Sequence, residues 1–184
     1  ISGVGYDPHG ELSCNGKPVA ADDDPQLYEL ARSGMLCNDS SLHDKDGEWE
    51  LLGDPTEGAL MVFGMKMGLN PEHEQEAWPR TDVIPFESEH RFMATLHHDH
   101  SGHAFIYLKG APERVLEMCT QQRKHGEDVP IDLDYWQSRS EQLAQRGQRL
   151  LAIATRQVDT SMTCLNFSDV EEGLSLLGIV GIID

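Results

Sequence analysis

Basic residues are scarce in this sequence: 14 Lys and Arg stand against 32 Asp and Glu, which gives a formal net charge of -18. A protein that binds nucleic acid needs a basic surface, and anionic membranes attract basic segments. We therefore exclude nucleic acid as a binding partner of this chain, and anionic membrane surfaces are disfavoured for the same reason. An acidic protein still binds a small anion where a few cations converge, so each Lys or Arg beside apolar residues is a candidate for such a site.

Long apolar runs are missing as well, since no stretch approaches the roughly 20 residues that a helix needs to span a bilayer. The N-terminus lacks the basic region and apolar stretch of a signal peptide. If the chain belongs to a membrane protein, we expect its spanning helices outside this sequence. The four cysteines form no Cys-x-x-Cys pair, so we expect buried thiols in a reducing compartment at Cys14, Cys37, Cys119 and Cys164.

Common signatures of hydrolases are also absent. The sequence contains no Gly-x-x-x-x-Gly-Lys-Ser/Thr phosphate-binding loop and no Gly-x-Ser-x-Gly elbow, which argues against a self-sufficient hydrolase. What is present is an ordinary globular composition, 39% hydrophobic and 25% charged. The length of 184 residues predicts a single domain with its own core and no internal repeat.

Helix and strand signals alternate irregularly along the chain. Asp24-Pro25 and Asp54-Pro55 each combine a helix N-cap with a proline at the first helical position. Further helices are predicted from Pro112 and over 133–146, and a polar linker is predicted near 71–80. Strands are predicted at 1–6, 49–52, 92–98, 104–109, 149–158 and 174–183. Hairpins mixed with helices, without regular βαβ alternation, indicate an α+β fold.

The segment Lys109-Gly110-Ala111-Pro112-Glu113 joins a predicted strand to a predicted helix. The lysine ends the strand, the glycine permits close backbone approach, and the proline starts the helix. This arrangement would bring an ammonium group to free N–H groups at a helix N-terminus, which favours an anion. A plain strand-to-helix turn with a solvated lysine explains the same residues equally well.

Phe86 precedes Arg91 by five residues at the entrance to a predicted strand. The ring would suit stacking on a nucleobase, and the guanidinium would then lie near the sugar or the phosphates. Taken alone, the segment is explained more simply by a core phenylalanine and a solvated arginine.

Two further segments offer a carboxylate and a cation. Asp54 and Glu57 have the spacing of a capping box, which would account for Glu57 structurally. A carboxylate in the first helical turn would also accept a hydrogen bond from the exocyclic amine of adenine. Arg149 follows Gly147 at the entrance to an apolar strand, where it reaches either a phosphate or the solvent.

Together and in this order, the four segments resemble the nucleotide-binding domain of P-type ATPases, specifically the type II calcium, sodium/potassium and related pumps. The resemblance covers about residues 37–184 and rests most on Lys-Gly-Ala-Pro-Glu at 109–113, supported by Gly-Asp-Pro-Thr-Glu-Gly-Ala-Leu at 53–60. It implies an antiparallel sheet of about six or seven strands flanked by helices. It also implies that residues 1–184 form a single ATP-binding domain, inserted between the two halves of a phosphorylation domain.

By this resemblance, Phe86 would stack on adenine, Glu57 would contact its amino group and Lys109 would lie deep in the pocket. The implied nucleotide-binding residues are Glu57, Phe86, Ser88, Arg91, Met93, Lys109, Gly110, Arg149 and Leu151, with no catalytic residue and no metal ligand. Two positions depart from relatives: several carry lysine in place of Arg91, and some carry a cation in place of Ser88.

The resemblance implies that the chain binds ATP together with Mg²⁺ and delivers the γ-phosphate to an aspartate of a neighbouring domain. That aspartate belongs to an Asp-Lys-Thr-Gly-Thr segment that is absent here, so the chain alone is expected to bind ATP without hydrolysing it. The implied parent is a cation-pumping ATPase of which this domain lies on the cytoplasmic face of the membrane. The expected partners are ATP and the phosphorylation and actuator domains of the same polypeptide, and the isolated chain is expected to be monomeric.

A histidine cluster supports a rival function. The side chains of His97, His98, His100 and His103 would suit Zn, Cu or Ni, which would make the chain a metal-binding regulatory domain. These residues straddle a predicted hairpin turn, where side chains point to different faces of the sheet. A solvated loop is therefore the simpler interpretation.

Overall fold

The computed structural model describes residues 1–183, and these contain five α-helices and eleven strands. The helices are α1 (Pro25–Leu36), α2 (Pro55–Lys66), α3 (Pro71–Ala77), α4 (Pro112–Met118) and α5 (Leu133–Gln145). The strands are β1 (Ser13–Cys14), β2 (Lys17–Pro18), β3 (Ser41–Lys45), β4 (Glu48–Leu52), β5 (Arg80–Ile84), β6 (Phe92–His98), β7 (Ala104–Gly110), β8 (Cys119–Lys124), β9 (Glu127–Pro130), β10 (Arg149–Val158) and β11 (Leu174–Ile182).

Seven strands form the central sheet, in the order β5-β6-β7-β10-β11-β8-β9. Every neighbouring pair is antiparallel except β11 and β8, which run parallel. Two small hairpins, β1–β2 and β3–β4, lie outside this sheet. The predicted α+β fold, with a mostly antiparallel sheet flanked by helices, is confirmed.

The helices α1 and α2 begin where the Asp-Pro pairs predict. The carboxylate of Asp24 accepts hydrogen bonds from the backbone N–H groups of Gln26 and Leu27. The carboxylate of Asp54 accepts in the same way from Thr56 and Glu57. Each aspartate therefore satisfies two of the backbone donors that the first turn leaves without a helical partner.

Side chains of β10 alternate between the two faces of the sheet and divide the core into two clusters. Ile153 packs with the residues of α1 and α2, among them Leu30 and Leu60. Ala152 and Ala154 belong to the opposite cluster, together with Val115 and Leu116 of α4. The sheet thus lies between two helical layers, and α2 covers the face on which Ile153 lies.

Two of the predicted segments are wrong. Residues 1–6 do not form a strand, and positive φ angles of 116° and 64° at Gly3 and Gly5 explain why the backbone cannot stay extended there. The predicted linker at 71–80 contains α3 and the first residue of β5. Helix α3 buries none of its residues, so it has no apolar stripe by which the sequence could reveal it.

The strands β8 and β9 were not predicted, because their largely polar residues show no alternation of apolar and polar side chains.

The cysteine prediction holds for two of four positions. Cys37 and Cys119 are buried, whereas Cys14 and Cys164 are exposed, and all four thiols are free. Among residues 1–183, no helix combines the length and apolar character that crossing a membrane requires.

Candidate functional site

Lys109 is the penultimate residue of β7 and is buried, with 6% of its surface exposed. Its register neighbours are Met93 on β6 and Ile153 on β10. Because Ile153 belongs to the core cluster under α2, the lysine side chain points towards that helix. Its Nζ donates a hydrogen bond of 2.5 Å to Oε1 of Glu57, in the first turn of α2.

The carboxylate of Glu57 receives two further hydrogen bonds. The hydroxyl of Ser40 donates to Oε2 at 3.1 Å, and the backbone N–H of Asp39 donates to Oε1 at 3.3 Å. A reciprocal capping box would require the Glu57 carboxylate to accept from the backbone N–H of Asp54. The carboxylate is bound instead to Lys109 and to residues 39–40. The charge of Lys109, which is costly to bury alone, is balanced by this carboxylate.

Phe86 lies in the segment 85–91, which connects β5 to β6. Since Ile84 pairs with Ala94, the segment leaves the sheet at the end where Met93 and Lys109 lie. The Phe86 ring is 59% exposed, and Ser88 is exposed beside it. Phe86 is therefore not a core residue, and its exposed aromatic face is available for stacking.

Arg91 is fixed at both its backbone and its side chain. Its φ angle is 59°, its N–H donates to the carbonyl of Glu87 at 2.8 Å, and its carbonyl accepts from the N–H of Ala111 at 3.1 Å. Its guanidinium donates to Glu113 at 3.0 Å, while the side chain remains half exposed. Arg91 thus forms an ion pair with Glu113 of the 109–113 segment and is not a purely solvated edge residue.

Gly110 is required by the close pairing of β7 with the start of β6. A Cβ atom at this position would lie 2.9 Å from the Cα of Phe92, closer than real Cβ atoms approach. The absence of a side chain at position 110 therefore permits the close approach of the segments 85–91 and 109–113. Both segments carry predicted nucleotide-binding residues.

Arg149 lies at the start of β10, and its Nη1 donates to the hydroxyl of Thr56 at 2.8 Å. Thr56 directly precedes Glu57, so this contact brings the guanidinium to the N-terminus of α2. Two other predicted residues belong to the core in this structure. Met93 is 1% exposed, and Leu151 is half-buried against the cluster under α1 and α2.

Two surface cavities are present, and one of them is lined in part by Thr56 and Arg149. One, of about 870 Å³, lies between the start of α1, the β8–β9 hairpin and α5. The other, of about 680 Å³, is lined by Thr56 and Arg149 together with both chain ends, including Ile1 and Ile183. Neither is lined by Glu57, Phe86 or Lys109. Glu57, Phe86 and Lys109 therefore lie outside both of these cavities, whereas Arg149 lines the second.

The four histidine side chains of the predicted cluster do not point to a common metal site. Each ring uses its nitrogens elsewhere: His98 contacts Thr81 and the carbonyl of Thr160, His100 contacts the carbonyl of Glu76, and His103 contacts Asp99. His97 is buried between the carbonyl of Trp78 and the hydroxyl of Thr95. Within residues 1–183, the one grouping of side chains close enough to hold a metal ion is Glu87, Glu89 and His90, which contains none of them. The structure thus does not favour the metal-binding alternative.

The sequence did not point to several residues that contact this site, among them Ser40, Thr56 and Glu113. The hydroxyl of Ser40 donates to Glu57, and the hydroxyl of Thr56 accepts from Arg149. The carboxylate of Glu113 accepts from Arg91. Thr56 and Glu113 stand inside the motifs already identified, so their positions were a usable signal. Ser40 lies 17 residues before Glu57, and no local pattern connects the two.

The chain is similar to known proteins over nearly its whole length. The family model of the P-type ATPase cytoplasmic domain N matches residues 26–184. The chain is 38% identical to the cation-transporting ATPase pma1 of Synechocystis, over 100% of this chain and 21% of that protein. It is 34% identical to the calcium-transporting ATPase type 2C member 1 of Bos taurus, over 100% of this chain and 18% of that protein.

A calcium-transporting ATPase of Bacillus subtilis is 29% identical, over 100% of this chain and 21% of its own length. The chain spans about a fifth of the length of these relatives. The match of the family model covers far more than half of the chain, and it includes all four motif segments. The chain therefore belongs to the family of P-type ATPase cytoplasmic N domains, the nucleotide-binding domains of cation-transporting ATPases.

Proposed function

We propose that this chain binds ATP at the residues around the Lys109–Glu57 ion pair. The observation that carries the proposal is the 2.5 Å contact itself, which brings a buried ammonium group to the first turn of α2. Because Glu57 balances that charge, the pair would offer an anionic ligand a hydrogen-bond donor and an acceptor rather than a net positive charge. The family membership supports a nucleotide as that anion.

The adenine end of the ligand would be recognised by an aromatic ring and a carboxylate. Phe86 would stack on the base, and Glu57 would accept a hydrogen bond from its amino group. Lys109 would compensate the charge of Glu57 and face the nucleotide. The exposed Ser88 and the half-exposed Arg91 would line the rim, and the Arg149–Thr56 contact at the N-terminus of α2 would approach the phosphates.

The parent protein would be a P-type pump that transports a cation, and the names of two relatives support a calcium-pump-like member of the type II group. The chain would deliver the γ-phosphate to an aspartate of a neighbouring phosphorylation domain, and Mg²⁺ would arrive bound to ATP. Its own part is positioning and charge neutralisation, so it would bind ATP without hydrolysing it.

Binding by the isolated chain would be weak. Stacking and a few partly solvated polar contacts support a dissociation constant on the order of 0.1–1 mM. The net charge of -18 would weaken the binding of an anion further at low ionic strength, because repulsion between like charges is then less screened.

Replacing Phe86 by alanine is expected to weaken ATP binding by about 1–3 kcal/mol, because the stacking surface for the base is removed. Since the ring is 59% exposed, the fold should be unaffected. Isothermal titration with MgATP measures the effect. The matched control is Tyr135→Ala, which removes a ring of 46% exposure from α5 and should leave the affinity unchanged. Equal affinities for Phe86→Ala and the unmodified chain would contradict the stacking role.

A further inference from the structure

The segment Asn38-Asp39-Ser40, between α1 and β3, donates two hydrogen bonds to the carboxylate of Glu57. Ser40 is 5% exposed, and its hydroxyl donates to Oε2 of Glu57 at 3.1 Å. The backbone N–H of Asp39 donates to Oε1 at 3.3 Å. Glu57 thus has one oxygen bound mainly by Lys109 and the other bound by Ser40.

Asn38 fixes the shape of this segment. Its side-chain amide donates to the carbonyls of Gly34 at 3.1 Å and of Glu57 at 2.9 Å, and its side-chain oxygen accepts from the N–H of Ser40 at 2.8 Å. The residue is buried, with 7% of its surface exposed. A single buried amide therefore ties the end of α1 and the start of α2 to the residue that contacts the carboxylate.

Gly53 lets Ser40 come close enough to make that contact. A Cβ atom at position 53 would lie 2.9 Å from the Cα of Ser40, and the φ angle of 124° is one that other residues rarely adopt. Asn38 and Gly53 therefore combine to bring the Ser40 hydroxyl to Glu57. The same hydroxyl also lies 3.3 Å from the carbonyl of Asp54, but the shorter distance and the negative charge of the carboxylate favour Glu57 as the acceptor of its one proton.

The contact decides which way the carboxylate faces. An ionised carboxylate offers about four lone-pair positions, and Lys109, Asp39 and Ser40 occupy three of them. Without Ser40, the buried charge of Lys109 would be the dominant partner, and the carboxylate would be free to rotate towards it. The remaining lone pair would then lose its fixed direction.

We infer that Ser40 is a positioning residue for base recognition, holding Glu57 so that its free lone pair faces the exocyclic amine of the bound purine. The inference rests on the proposed binding of ATP. It adds that selection for an amino-substituted base depends on a residue that does not itself contact the nucleotide.

The test compares two ligands on the same protein: ATP, and purine riboside triphosphate, which lacks the exocyclic amine. Dissociation constants are measured by titration for the unmodified chain, for Ser40→Ala and for Ser41→Ala. The preference for ATP over the purine analogue should fall about threefold to tenfold in Ser40→Ala, the effect of one hydrogen bond. The affinity for the purine analogue itself should stay unchanged.

Ser41→Ala is the matched control, since the Ser41 hydroxyl contacts the exposed ring of His43 instead of Glu57. Its preference should equal that of the unmodified chain. Gly53→Ala, which displaces Ser40 by steric contact, should reproduce the loss of preference. A general loss of fold would lower both affinities equally and leave their ratio unchanged.

An unchanged ratio in Ser40→Ala would therefore overturn the inference, whether or not both affinities fell. Failure of the proposed function gives a different result, because the unmodified chain would then bind neither triphosphate. A chain that binds both without preference would show that Glu57 does not contact the amine, which contradicts the inference while leaving ATP binding intact.

Discussion

Replacing Lys109 by methionine is expected to remove measurable ATP binding and to lower the free energy of unfolding by about 3–5 kcal/mol. The side chains of Lys109 and Glu57 are 7% and 16% exposed, and their contact is 2.5 Å long. Methionine fills similar volume but leaves the Glu57 carboxylate with only the hydroxyl of Ser40 and the N–H of Asp39 as donors. An unpaired charge would then remain in a largely buried position.

A second substitution separates the two effects. Glu57→Gln removes the charge that Lys109→Met leaves unpaired, so the double variant should regain much of the lost stability. It should not regain ATP binding, because the ammonium group and the carboxylate are both absent. Urea unfolding and ATP titration measure the two quantities. Lys124→Met, at an exposed position on β8, is the control and should change neither.

The account would be contradicted if Lys109→Met kept both the stability and the ATP affinity of the unmodified chain. A loss of stability with unchanged ATP affinity would also count against it. Lys109 would then be a structural partner of Glu57, and the cation that binds the nucleotide would lie elsewhere.

Acidification from pH 6.5 to pH 4 is expected to lower the free energy of unfolding by up to about 3 kcal/mol through His97 alone. Burial lowers the pKa of this imidazole from 6.5 to about 4. In that pH window the unfolded chain binds a proton at His97 that the folded chain does not, so folding becomes less favourable as the pH falls. Above pH 6.5 both states are neutral at this residue and the effect is absent.

The His97 contribution is measured as a difference between variants. His97→Gln retains an amide that can contact the carbonyl of Trp78, but it has no group that titrates in this range. Its stability should be lower at pH 7, and it should fall less between pH 6.5 and 4 than that of the unmodified chain. His100→Gln, at an exposed position, serves as the control. Parallel pH profiles for all three proteins would contradict this role of His97.

Much of the fold could be predicted because its signals are local. The Asp24 and Asp54 caps, the following prolines and the largely apolar runs of β6 and β7 each lie within a few residues of the element they define. Helix α3 and the strands β8 and β9 were missed because polar, exposed elements carry no periodic apolar pattern. Strand β8 pairs with the distant β11, while β9 pairs with β8 across a short turn.

The site could be predicted only in part, for a related reason. The motifs identified Glu57 and Lys109 separately, but their contact joins residues that are 52 positions apart. The role of Ser40 depends on Asn38 and Gly53, whose importance comes from close packing that only the folded chain shows. The pattern indicated which groups could bind a nucleotide. The structure shows which of them are held together.

The most direct test of ATP binding is a titration of the isotope-labelled chain with MgATP, followed through its amide resonances. We expect saturable shifts at Glu57, Phe86 and Lys109 and at the residues around them, with a midpoint on the order of 0.1–1 mM. Residues of α5, on the far side of the molecule from α2, should not shift. Saturable shifts confined to residues 97–103, or none at these three sites, would contradict the account.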